Sequence, residues 1–218
     1  MSEPLHAPVL QVRRLRFAYP DQAPMFTDWC TDLLPGVTLL HGDTGSGKTT
    51  LLRLLAGELP AGGDLKLNGR HFGDAPAAYR QGVCWFNPRD EAFDALTPAG
   101  LMAALRTVHP GLDESAWQRH LQGFDLASQL AKPLDALSTG SRQRAALAVA
   151  LSVGCALTLL DEPTAGLDAS SIAYLRQALS DSVVRSQRAL LLVGSQGLDA
   201  LPLAGAIILP GLPGRGWG

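Results

Sequence analysis

The chain has 218 residues, is 46% hydrophobic and carries a formal net charge of −2. That length supports one sizeable core with at most a small satellite lobe, and so small a charge argues against a nucleic-acid partner held by bulk electrostatics. The three cysteines, Cys30, Cys84 and Cys155, are scattered and odd in number. They read as reduced, buried residues of a cytosolic protein, excluding a disulfide or zinc framework.

The N-terminal MSEPLHAPVL has neither the basic start nor the apolar centre of a signal peptide. Residues 9 to 19 alternate as an edge strand with Arg13, Arg14 and Arg16 near its middle, and 20 to 24 turn. A short apolar strand at 37–41 leads into HGDTGSGKTT and then LLRLLAG, a helix that stops at Gly57. Residues 65–67 with Asn68-Gly69 predict a strand entering a tight turn, and 82–86 another strand. From 87 to 137 prolines punctuate short helices, such as 98–108 and 114–122, with little strand signal. A helix at 141–153, a strand at 156–160, a helix at 169–184 and strands at 189–194 and 207–209 follow. The longest uncharged run, 145 to 160, is 16 residues, short for a membrane span. It reads as a buried helix, a break at Gly154 and a buried strand, so the protein is expected to be soluble, docking on a membrane protein at most. Strands alternating with helices predict an α/β fold with a mostly parallel sheet.

Gly42, Asp43, Thr44, Gly45, Ser46, Gly47, Lys48 and Thr49 satisfy G-x-x-x-x-G-K-[ST], between an apolar strand and a helix. The glycines let successive N–H groups point at one anion, and the helix start adds its dipole. Lys48 is expected to reach the β- and γ-phosphates and Thr49 to hold Mg²⁺. The other lysines are only Lys66 and Lys132, which makes a lysine at this slot informative. A dinucleotide fingerprint fits worse, because Thr50 stands where its third glycine belongs.

LTLLDEP at 157–163 is a buried strand ending in two acids. Alone, these could be helix-capping carboxylates. Beside a phosphate loop, Asp161 suits Mg²⁺, through water, and Glu162 suits the attacking water and its proton. Side chains alternate along a strand, so the two acids are expected on opposite faces with separate tasks. LSTGSRQR at 137–144 offers a hydroxyl, a glycine and free N–H groups at a helix start, either as an ordinary cap or as an anion contact.

Together these stretches resemble the nucleotide-binding subunit of an ATP-binding cassette (ABC) ATPase. The likeness rests on Tyr19, GDTGSGKT at 42–49, LSTGSRQR, LLDEP at 159–163 and TAGLD at 164–168, in the family's order, and covers about residues 9 to 209. It implies a P-loop fold with an antiparallel β subdomain and an inserted helical lobe. That makes a single domain over 1–209, with its core at about 1–86 and 138–209, its lobe at about 87–137 and a disordered tail at 210–218. It implies ATP and Mg²⁺ as cofactors, ATP hydrolysis that drives a separate transmembrane permease, and a second nucleotide-binding subunit, the same chain or a homologue. It also implies a cytoplasmic location, peripheral on the inner face of the membrane. By the same likeness Ser138, Thr139, Gly140 and Ser141 face the ATP of that second subunit and Asp168 lies at the interface, where it also reads as a helix cap. Tyr19, otherwise an ordinary strand aromatic, stacks on adenine. Length and lobe are similar to small export-type subunits such as the haem-exporter ATPase of cytochrome c maturation, a likeness that names no cargo.

Three stretches depart from the family. Thr139 and Ser141 stand where it favours Gly and Gln. Asn87 is the carboxamide nearest the expected metal-sensing glutamine. Gln196, or Ser195 in a shifted alignment, replaces a histidine against the γ-phosphate, and no histidine follows His120. Such a loss costs on the order of 3 kcal/mol, about 100-fold in rate. The expectation is a slow ATPase, because Lys48, Thr49, Asp161 and Glu162 are all kept. The alternatives are a nucleotide-gated dimerisation module with little turnover, and a soluble ATPase outside transport. A GTPase is excluded by the lack of Asn-Lys.

Overall fold

The computed structural model describes residues 7–86, 93–109, 111–181, 187–194, 196–198 and 201–210. In chain order the elements are β1 (Leu10–Phe17), β2 (Phe26–Leu33), β3 (Gly36–His41), α1 (Lys48–Leu55), β4 (Gly62–Leu67), β5 (Arg70–His71), α2 (Pro76–Gln81) and β6 (Val83–Phe86). Then come α3 (Pro98–Val108), α4 (Glu114–Gly123), α5 (Thr139–Ser152), β7 (Leu157–Asp161), α6 (Ala169–Ser180), β8 (Ala189–Val193) and β9 (Leu203–Ile208). A parallel sheet runs β6-β7-β8-β3-β9, and an antiparallel sheet runs β2-β1-β4-β5.

The two-residue period of an extended chain divides the apolar side chains between two cores. On β8, Leu190 and Leu192 join one cluster with the helices α3 to α6, while Ala189, Leu191 and Val193 join the other with α1 and the antiparallel sheet. Val37 and Leu39 of β3 face the helices, and Leu40 faces α1. Strands covered on both faces read as near-continuous apolar runs, as ALLLV does and as VTLL does apart from the buried Thr38. Apolar residues of α3 and α4 (Leu101, Met102, Trp117, Leu121) share their cluster with α5 and one face of the sheet.

Three expectations change. Residues 10–17 are no edge strand, because β1 pairs with β2 on one side and β4 on the other. Arg13 and Arg16 instead point outward to Asp32 and Asp28 of β2, each at 2.6 Å. β2 itself, FTDWCTDL, hides behind polar residues that face water on this outer strand. Cys30 lies on β2 and is exposed, whereas Cys155 is buried. β9 begins at Leu203, earlier than the apolar triplet at 207–209 suggests, because it pairs with β3 from Val37 onward. Asn68 and Gly69 both take positive φ, 45° and 82°, as the tight turn between β4 and β5 demands. Residues 87–92, with Asn87, and the tail at 211–218 lie outside the described residues. Among the described residues no helix is long and apolar enough to cross a membrane.

Candidate functional site

The parallel strands aim their carboxyl ends at a cleft of about 460 Å³ lined by Tyr19, Gln22, Met25, Thr44, Gly45, Gly47, Lys48, Thr49, Thr50, Asp161, Glu162 and Val193. Open α/β sheets place ligands at such strand ends. The loop from Gly42 to Gly47 turns from β3 into α1, and the short connection is possible only with left-handed glycines. At Gly47 φ is +94°, and a Cβ there would lie 2.7 Å from Met25 Sδ. That places the β1–β2 connection, which carries Met25, against the helix start.

The loop is built for an anion. Lys48 Nζ donates to the carbonyls of Gly42 (2.7 Å) and Asp43 (2.8 Å), which bends the ammonium back over the cradle. Ser46 N–H donates to Asp43 O, while Ser46 Oγ is buried and finds no partner among the described residues. A buried hydroxyl without a partner is costly and suits a phosphate oxygen. Tyr19 OH lies 3.2 Å from Thr50 Oγ1, and its ring meets Phe17 edge-on, so the aromatic stands at the mouth of the cleft over the start of α1.

Thr49, in the first turn of α1, meets Asp161 at the end of β7 although β8 lies between β7 and β3, the strand that leads into α1: Thr49 Oγ1 donates to Asp161 Oδ2 at 2.6 Å. Two hard oxygens at this spot fit a small divalent cation that keeps its remaining places for phosphate and water. Among the described residues no group of three or more His, Cys, Asp or Glu offers a self-sufficient metal centre.

Glu162 corrects the alternation expected of the two acids. β7 ends at Asp161, and Glu162 has φ +45°, so it is no longer on the strand. Its N–H donates to Val193 O (3.0 Å) and its carbonyl accepts from Ala165 N–H (3.0 Å). Both carboxylates consequently line one cleft. Gly194 follows β8 alongside: a Cβ there would be 3.8 Å from Glu162 Cγ. Gln196, two residues on, is exposed and is not among the side chains lining the cleft.

Ser138 caps α5, its Oγ accepting from Ser141 N–H, with Thr139 exposed at the first turn. Arg144 donates to Ser141 Oγ and to Phe124 O, each at 3.0 Å. Gly140 packs so closely on the loop after β7 that a Cβ would lie 2.6 Å from Gly166 O. Asp168 caps α6; hydrogen bonds from Ser171 N–H and then Ser170 Oγ hold its carboxyl down at about 2. In the single chain, residues 138–141 and Asp168 are not among the residues lining the cleft. Gln22 and Met25 carry no motif, and only the fold brings them there.

The family model described as ABC transporter matches residues 35–165. A cytochrome c biogenesis ATP-binding export protein of Pseudomonas savastanoi is 38% identical over 142 residues, covering 65% of this chain and 67% of that protein. Its counterpart in Aromatoleum aromaticum is 34% identical, covering 72% and 75%. The Fe(3+) ions import ATP-binding protein of Serratia marcescens is 37% identical, covering 77% and 50%. A solved ATP-binding subunit of an ABC transporter superposes with a TM-score of 0.75 at 24% identity, covering 85% and 78%, which speaks for the fold. The chain belongs to the ABC transporter family, as an ATP-binding and ATP-hydrolysing subunit.

Proposed function

We propose that two such chains close face to face on two ATP molecules and so drive a separate membrane permease. The observation that carries the reading is the meeting of Thr49 and Asp161 at 2.6 Å, with Lys48 and Glu162 in the same cleft. The loop N–H groups and Lys48 hold the phosphates, and Tyr19 covers the adenine. Thr49 and Asp161 would hold Mg²⁺, which offsets charge on the β- and γ-phosphates. Asn87, outside the described residues, is the carboxamide that the family resemblance assigns to the same ion.

Glu162 accepts a proton from water as the water oxygen bonds to the γ-phosphorus. The bond to the bridging oxygen breaks, and ADP leaves with the electron pair. Ser138, Thr139, Gly140 and Ser141 of one chain face the ATP held by the other, and Asp168 lies at their boundary. The γ-phosphate thereby bridges both chains, and its removal releases them. Residues 1–86 and 138–209 form the nucleotide-handling core, and 87–137 the helical lobe that hands motion to the permease at the inner membrane face. Relatives named for export and for iron import are alike similar to this chain, so the choice of cargo is assigned to the permease.

Steady-state hydrolysis tests the reading. Wild type turns over slowly, Lys48→Ala loses ATP binding and turnover together, and Glu162→Gln keeps binding but loses about 100-fold or more in kcat. A wild-type rate equal to that of Glu162→Gln would instead assign turnover to a partner chain and leave this one a nucleotide-gated half.

A further inference from the structure

Gln143 is almost fully buried on α5, five residues past the Ser138 cap, yet it is polar. Its Nε2 lies 3.2 Å from Pro163 O and 3.4 Å from Glu162 O. Two carbonyl acceptors can face only the amide nitrogen, so the orientation of the carboxamide is forced. These carbonyls belong to the residue with φ +45° and to the next one, a conformation that a side-chain-bearing residue adopts only when its surroundings impose it. Val193 O fixes Glu162 from its N–H side. On its carbonyl side the local bond from Ala165 N–H (3.0 Å) is joined by Gln143, which also reaches the next carbonyl and ties both to α5. The close approach of Gly140 to Gly166 O makes a second joint between α5 and the same loop.

We infer that Gln143 is a positioning residue for Glu162: through the two carbonyls it sets where the Glu162 carboxylate stands and fastens it to α5. The inference rests on the assignment of Glu162 as the proton acceptor. It also goes beyond it. The start of α5 faces the second chain's ATP, so engagement there moves the base at this chain's own ATP. The two sites are then linked through one helix.

The test compares wild type, Gln143→Met, Gln143→Glu and Glu162→Gln in steady-state ATP hydrolysis, with ATP affinity and thermal unfolding measured alongside. Gln143→Met keeps the shape and removes the donors. It is expected to lower kcat at least tenfold with KM within about twofold of wild type. Gln143→Glu places an acceptor against two carbonyls and is expected to lower kcat further. Wild-type kcat in either variant overturns the inference, as does a KM that rises in step with a falling kcat. If Gln143→Met does not fold, Gln143→Glu decides by the same split. A Glu162→Gln enzyme with wild-type turnover overturns the assignment of Glu162 itself. An inactive Glu162→Gln beside a fully active Gln143→Met overturns only the role of Gln143.

Discussion

Past His120 the chain has no histidine, and in the proposed reading Gln196, exposed after β8 and outside the residues that line the cleft, stands in for it toward the γ-phosphate. A carboxamide donates a hydrogen bond but brings no charge to a site where charge develops. Gln196→His is expected to raise kcat, by a factor between about 10 and 100, with ATP affinity little changed; steady-state kinetics with an affinity measurement check this. The opposite change belongs to Asp161→Asn. With Thr49 Oγ1 left facing a neutral amide, half-maximal activity should need about tenfold more Mg²⁺ if the proposed reading holds, since it makes Asp161 a charged ligand. A magnesium titration reads it. Asp161 was legible in the sequence as a cleft residue because its motif fixes spacing along the chain. Gln22, Met25 and Gln143 were not. Their contacts are made to residues far along the chain, and no local pattern records them.

At the scale of elements, α5 is set by its two ends. Ser138 satisfies an open N–H at the start, and Ser138→Ala should cost about 1 kcal/mol of stability. Gly140 has a different importance. It permits contact with the carbonyl of Gly166, where a Cβ would stand at 2.6 Å. Gly140→Ala should therefore push α5 off the loop carrying Glu162, lowering both the unfolding temperature and kcat. Unfolding scans and hydrolysis rates of the two variants separate a lost cap from a displaced helix. The sequence announced α5 by its Ser-Thr-Gly start, but β2 escaped notice. Its Thr27, Asp28 and Asp32 answer to solvent and to Arg16 and Arg13 of β1, so its pattern never shows a clean apolar face.

For the whole molecule, acid is the weak side. His120 is packed between Phe124 and Tyr174, with Nδ1 2.8 Å from Tyr174 OH. Burial, with Arg119 nearby, lowers its pKa to about 4. Below about pH 6.5 the unfolded imidazole takes up a proton that the folded one refuses until near 4. Stability is therefore flat above that window and falls by up to about 3 kcal/mol across it. Asp168 acts further down: its carboxyl, held at about 2, stabilises the fold above the ordinary carboxylate range, and that contribution is lost as pH falls through 2. Denaturant unfolding from pH 8 to 4 should show the decline, and His120→Phe should flatten it. In the central strand β8, Leu191→Ala should cost about 2–5 kcal/mol at any pH, because a fully buried leucine leaves a cavity.

The sequence by itself determined the phosphate loop, the DE strand end, the Ser-Thr-Gly helix start and the alternation of strand and helix. Each is a local spacing whose backbone demands only a few residue types can meet. Tertiary structure alone decided that β1 lies inside its sheet, that Asp161 reaches Thr49 across an intervening strand, and that both acids share one cleft. It also set the bend at Glu162, because a left-handed residue bearing a side chain is held by neighbours. Those neighbours, Val193 and Gln143, are close to it only once the parallel sheet has formed.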